Sequence, residues 1–98
     1  MFSIQKTDTF DRWLLDLKDV RGKAKILARL KMAEQGNLGD FKSVGDGVSE
    51  MRINFGPGYR LYFSKRTNVL ILILIGGDKS KQVRDIHHAK QILNECGA

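Results

Sequence analysis

The stretch Val48-Ser49-Glu50-Met51-Arg52-Ile53-Asn54-Phe55-Gly56-Pro57-Gly58-Tyr59-Arg60-Leu61-Tyr62-Phe63-Ser64 holds two alternating runs on either side of a turn signal. Successive side chains of a strand point to opposite faces, so Met51, Ile53 and Phe55 share one side, opposite Glu50, Arg52 and Asn54. Tyr59, Leu61 and Phe63 again share a side, opposite Arg60, Tyr62 and Ser64. Gly56-Pro57-Gly58 reads as the loop between the runs. That loop predicts Phe55 opposite Tyr59, Ile53 opposite Leu61 and Met51 opposite Phe63. Asn54, Arg52 and Glu50 then face Arg60, Tyr62 and Ser64. An odd loop length is required, because a one-residue slip would turn one apolar set to the wrong face. The hairpin therefore has an apolar face and a polar face carrying Glu50, Arg52, Asn54, Arg60 and Tyr62.

Further strands flank this hairpin. Phe41 to Val44 is a short candidate, and Val69 to Ile75 is apolar at every position, as expected of a central strand covered on both faces. Before Gly36 the period changes to that of helices. Asp8 or Thr9 offers an N-cap for a first helix with Phe10, Trp13, Leu14 and Leu17 on one face. A second helix is expected from about Arg21 to Gln35, with Ile26, Leu27, Leu30 and Ala33 inward and Gly36 ending it. The short break between them suggests an antiparallel helical hairpin. Phe2 to Lys6 alternates weakly as a short strand. A last helix is expected from about Ser80 to Glu95, with Val83, Ile86, Ala89, Ile92, Leu93 and Cys96 inward.

The 98 residues suit a single α+β domain spanning 1–98. The net charge of +6 favours a polyanionic partner over a neutral one. Cys96 is the only cysteine, so no internal disulfide forms, and a reducing cytoplasm is the expected location. The first residues lack a signal-peptide pattern. No apolar run approaches the roughly 20 residues that span a bilayer, and no membrane partner is expected.

Three features carry candidate chemistry. On the polar face, two arginines beside a phenol and a carboxylate suit a phosphodiester, since Arg grips phosphate through parallel hydrogen bonds. The same residues equally suit a solvated face on which Glu50 pairs with Arg52 or Arg60. Gly76-Gly77-Asp78-Lys79-Ser80-Lys81-Gln82 suggests a sharp turn from strand to helix, where unpaired N–H groups and lysines attract anions. Asp78 or Ser80 acting simply as a helix cap explains it too. Adjacent His87 and His88 point about 100° apart on a helix and do not converge on one metal, so no metal site is expected.

The order short strand, two helices, Gly-rich turn, three-strand meander and terminal helix carries several short motifs. They are Phe10-x-x-Trp13-Leu14, Gly36-Asn37-Leu38-Gly39-Asp40, Gly47-Val48-Ser49-Glu50-Met51-Arg52-Ile53, Gly56-Pro57-Gly58-Tyr59-Arg60-Leu61-Tyr62, and Gly76-Gly77-Asp78-Lys79-Ser80-Lys81-Gln82 with Asp85-Ile86. Together, over nearly the whole chain, they resemble the HigB-like addiction module killer proteins of the RelE/ParE toxin superfamily. The resemblance implies a RelE-like antiparallel sheet packed against an N-terminal helical hairpin, with a C-terminal helix. It implies the toxin of a type II toxin–antitoxin system, bound by a cognate antitoxin that in this branch is usually a helix-turn-helix protein. It implies an endoribonuclease that cuts messenger RNA on the ribosome and so inhibits translation and growth, with no cofactor.

By position, the resemblance makes Arg60 the match to an arginine of the RelE active site. Arg52 falls near the basic residues of the preceding strand, and Lys79 takes the place of another catalytic arginine. Glu50, Tyr62, Asp85 and His88 are candidates to move protons or support the site, and Asn54, Lys81, Gln82 and Arg84 to contact RNA. The strand lysines and C-terminal tyrosine of RelE are not reproduced, which leaves the acid and base open. Two alternatives stand beside this reading: a non-enzymatic poison of DNA gyrase, as ParE members are, and a basic RNA-binding module without catalysis.

Overall fold

The computed structural model describes residues 1–96. Its elements are β1 (Ser3–Lys6), α1 (Asp8–Asp16), α2 (Val20–Glu34), β2 (Phe41–Gly45), β3 (Val48–Ile53), β4 (Tyr59–Lys65), β5 (Leu70–Asp78), a 3-10 turn (Lys79–Lys81) and α3 (Gln82–Glu95). The fold is α+β, with a five-stranded sheet in the order β1-β5-β4-β3-β2. β2 to β5 form an antiparallel meander, but β1 joins β5 in parallel, so the sheet is mixed rather than antiparallel throughout. The cause is topological: β1 and β2 occupy opposite edges, and α1 and α2 carry the chain between them.

Each N-terminal helix is started by a side chain. Thr7, one residue earlier than expected, caps α1 by accepting from the Phe10 N–H, and its hydroxyl donates to the Leu74 carbonyl at 2.6 Å, which also ties α1 to β5. Asp19 caps α2 by accepting from the Gly22 N–H. Gly36 ends α2 with φ at 96°, in the left-handed region that glycine adopts without strain. α1 packs chiefly on β5, and α2 on β1 and β3. Their inner stripes therefore meet the sheet, and Leu27, expected inward, is half exposed.

Two cores lie on opposite faces of the sheet. Beneath α1 and α2, Phe10, Ile26 and Leu30 meet Met51, Leu61, Phe63, Ile71 and Ile73. Beneath α3, Val48, Tyr62 and Leu74 meet Ala89 and Leu93. β5 is thus covered on both sides, as its unbroken apolar run demands. The second core corrects the expected open polar face, because α3 covers much of it.

The β3–β4 register differs from expectation by two residues. Ile53 pairs with Tyr59, Arg52 with Arg60, Met51 with Leu61 and Glu50 with Tyr62. The connection runs from Asn54 to Gly58, because the Gly58 N–H bonds to the Phe55 carbonyl and closes a turn that takes Phe55 out of the strand. A shift of two preserves parity, so the apolar sets still share a face.

β5 continues straight through Gly76 and Gly77 to Asp78, so the expected sharp turn at the glycines is absent. They serve close approach instead: the Trp13 ring lies over Gly76 on one face and the Asp85 carboxylate over Gly77 on the other. The 3-10 turn, capped by Asp78 through the Ser80 N–H, delays α3 to Gln82. Asp85, Ile86, Ala89 and Leu93 then face inward, while Val83 is 85% exposed and Cys96 exposed, against expectation for both. Among the described residues, no helix is long and apolar enough to cross a membrane, and no three His, Cys, Asp or Glu side chains are grouped to hold a metal.

Candidate functional site

Two cross-strand rows define the α3 side of the sheet. One runs Arg52, Arg60, Gly77 and the next Glu50, Tyr62, Ile75. The first turn of α3 lays Gln82 and Asp85 over these rows. Glu50 and Tyr62 are fully buried, and Asp85 and Arg60 are only 5% and 8% exposed. Sequence periodicity put Glu50, Arg60 and Tyr62 on one face correctly, but as solvent-facing groups.

Glu50 accepts a hydrogen bond through Oε1 from Gln82 Nε2 at 2.6 Å, and the same oxygen stands 4.0 Å from Arg60 Nε. Arg60 Nη1 donates back to the Gly58 and Tyr59 carbonyls, which fixes the plane of its guanidinium. Asp85 Oδ1 meets Arg84 Nη2 at 3.5 Å. Among the described residues, four buried atoms of this cluster find no hydrogen-bond partner within bonding geometry: Glu50 Oε2, Arg60 Nε, Tyr62 OH and Asp85 Oδ2. Such orphaned groups are rare in folded proteins and concentrate where strain or function retains them. Burial pushes the Tyr62 phenol far above its ordinary range, and the nearby Glu50 and Asp85 carboxylates add to the shift. Tyr62 therefore stays a neutral donor throughout the physiological range.

Two shallow hollows open above the cluster. One of about 290 Å³ lies between the Asn54–Gly58 connection, Arg60 and Lys79. The other, about 570 Å³, follows Lys79, Lys81, Gln82 and Arg84 around the start of α3. Lys79 lines both, so Arg60 and Lys79 border the smaller hollow and Lys79, Lys81 and Arg84 the larger. Asp78, at the start of the 3-10 turn, has its carboxyl held below the usual range, chiefly by the Ser80 hydroxyl and N–H. Separately, a hollow of about 440 Å³ lies by His87 and Gln91, where Lys90 and Asp46 form an ion pair at 3.3 Å and offset each other's charge.

The sequence-predicted residues divide accordingly. Arg60, Lys79, Lys81, Gln82 and Arg84 come together, with Glu50, Tyr62 and Asp85 beneath them. Asn54 lines the smaller hollow, but from the connection and not from a strand opposite Arg60. Arg52 is turned aside: its Nη2 pairs with Asp40 at 3.1 Å. The Arg29 guanidinium holds that segment by donating to the Arg52, Leu38 and Asp40 carbonyls. Sequence reasoning missed Arg29 and Asp40, and no local pattern marks a contact between a helix and a loop 11 residues away. His88 is exposed on α3 and, among the described residues, makes no hydrogen bond or ion pair with the cluster.

The chain is 52% identical over 94 residues to an uncharacterized protein of Haemophilus influenzae, a match covering 96% of this chain and 95% of that one. The chain belongs to that protein's family. No family model matches it, and no solved structure does. The match runs almost end to end in both chains.

Proposed function

We propose that this protein is the toxin of a type II toxin–antitoxin system and acts as a ribosome-dependent endoribonuclease on messenger RNA. The observation that carries the reading is the pair of hollows that share exposed Lys79, one bordered also by buried Arg60 and the other by exposed Lys81 and Arg84. The RelE/ParE resemblance of the motifs supplies the reaction.

Cleavage by the neighbouring 2′-OH builds negative charge on the phosphorus-bound oxygens. Fixed cations aimed at that charge are often the largest contribution to catalysis. Arg60 suits this role because its guanidinium is already oriented by the Gly58 and Tyr59 carbonyls, and Lys79 adds a second charge across the same hollow. Lys81 and Arg84 then border the path of the flanking RNA backbone. Glu50 and Tyr62 are enclosed, so neither can reach a substrate to exchange a proton. Asp85 is nearly as enclosed, and exposed His88 bonds to none of the cluster. With few groups able to act as acid or base, the ribosome and the RNA itself must supply part of the geometry.

On this reading the protein works in the cytoplasm, with the ribosome, messenger RNA and an antitoxin of the helix-turn-helix class as its partners, and the fold is a RelE-like variant. The test is to incubate purified protein with messenger RNA, free or loaded in translating ribosomes, and to map the 5′ ends produced. Cleavage is expected on ribosomes and only poorly on free RNA. Efficient cutting of naked RNA would refute ribosome dependence. No cutting in either setting, together with inhibition of DNA gyrase, would replace the reading with the ParE-like one.

A further inference from the structure

We propose that Glu50 is a positioning residue, a buried counter-charge that sets Arg60 and the start of α3 in their working places. The role rests on the reading above, but the contacts exist without it. One carboxylate oxygen, Oε1, meets a lining residue of each hollow: it accepts from Gln82, which lines the larger, and faces the guanidinium of Arg60, which lines the smaller. Glu50 thus links a residue of one hollow to a residue of the other from below.

Stability alone does not account for this arrangement. A carboxylate with no exposed surface gives up its hydration, and a buried ion pair is often no better than apolar residues of the same volume. Here the compensation is incomplete, because Glu50 Oε2 and Arg60 Nε are both left without a hydrogen-bond partner. The register partner of Glu50 is Tyr62, whose buried hydroxyl lies near the Glu50 carboxylate and adds a polar wall beside it. On the other flank, Gly77 pairs with Arg60 and lets the Asp85 carboxylate settle onto the strand. Arg60 is therefore held from below by negative charge and by the Gly58 and Tyr59 carbonyls just before it in the chain. Its remaining donors are left for the hollow. An uncharged residue at position 50 would keep the volume and lose the electrostatic hold.

The experiment uses Glu50→Gln, which preserves shape and an acceptor for Gln82 while removing the charge. Three quantities are read: the nitrogen-15 resonance of Arg60 Nε, assigned through its loss in Arg60→Lys; the thermal midpoint; and the cleavage rate on programmed ribosomes. The Arg60 signal is expected to move clearly, the midpoint to stay the same or rise, and the rate to fall by tenfold or more with KM little changed. If Glu50→Gln does not fold, Gln82→Leu carries the test, since freeing Oε1 of its other partner must also move the Arg60 signal. An unmoved Arg60 signal in the variant that folds overturns the proposal. So does a moved signal with unchanged cleavage. If the wild-type protein cleaves nothing, the function reading fails by itself, and the Arg60 signal still decides whether Glu50 holds the guanidinium.

Discussion

The Asp85 carboxylate of α3 rests directly on Gly77 of β5, with no space for a side chain between them. Gly77 is also the register partner of Arg60, so this contact sets how closely α3 approaches the cationic surface. Gly77→Ala is expected to destabilise the protein by about 1–3 kcal/mol, the usual cost of overpacking. Alanine's entropic advantage over glycine in a strand, roughly 0.5–1 kcal/mol, acts in the opposite direction and is smaller. Chemical denaturation of the variant measures the balance, and a gain in stability would show that Asp85 moves aside freely.

Arg60→Lys should keep the fold and lose function. Lysine retains a positive charge but lacks the planar guanidinium fork that the Gly58 and Tyr59 carbonyls orient toward the hollow. Cleavage on programmed ribosomes is expected to fall on the order of 100-fold, by analogy with the removal of one oriented transition-state donor. Near wild-type cleavage would remove Arg60 from the reacting centre.

Lys79→Ala separates chemistry from stability more cleanly, because Lys79 is exposed. Its loss should change stability by no more than about 0.5 kcal/mol. Cleavage should nevertheless drop by on the order of 100-fold, since Lys79 is the cation shared by both hollows. Rate and melting measured on one preparation decide the matter: a large fall in melting temperature would assign Lys79 a structural role instead.

The hydrogen bond from the Tyr59 hydroxyl to Asp19 Oδ2, at 2.7 Å, links β4 to the cap of α2 and predicts a pH dependence. Burial first, then this bond, raises the Tyr59 phenol from 10.0 to about 12. Its contribution is complete below pH 10 and lost as pH rises toward about 12, because the folded state keeps a proton that the unfolded state releases. The Asp19 carboxyl is lowered, chiefly by the same hydroxyl, so its contribution is present above its ordinary value of 3.8 and lost on acidification below it. Melting temperature followed across both ranges should change less steeply in Tyr59→Phe than in the wild type. Superimposable profiles would mean that the bond carries no stability.

Much of the fold was legible because periodicity is a local property. Alternation over Met51–Ile53 and Tyr59–Phe63 identified the hairpin and its apolar side, the unbroken run to Ile75 identified a strand covered on both faces, and Gly36 identified the end of α2. Arg60 and Lys79 were legible as candidates from the motifs that hold them, and both line one hollow. Distances between elements far apart in sequence were not. Whether Gly76 and Gly77 bend the chain or admit Trp13 and Asp85 depends on which helices pack there, and a glycine reads the same in either case. The hairpin register depended on the closing bond from Gly58 to Phe55, since loops differing by two residues satisfy the same alternation. Tertiary structure alone turned Arg52 toward Asp40 and folded α3 over Glu50 and Tyr62. Sequence pattern determines which side of a strand a residue occupies, and only packing between distant segments decides whether that side meets water or another element.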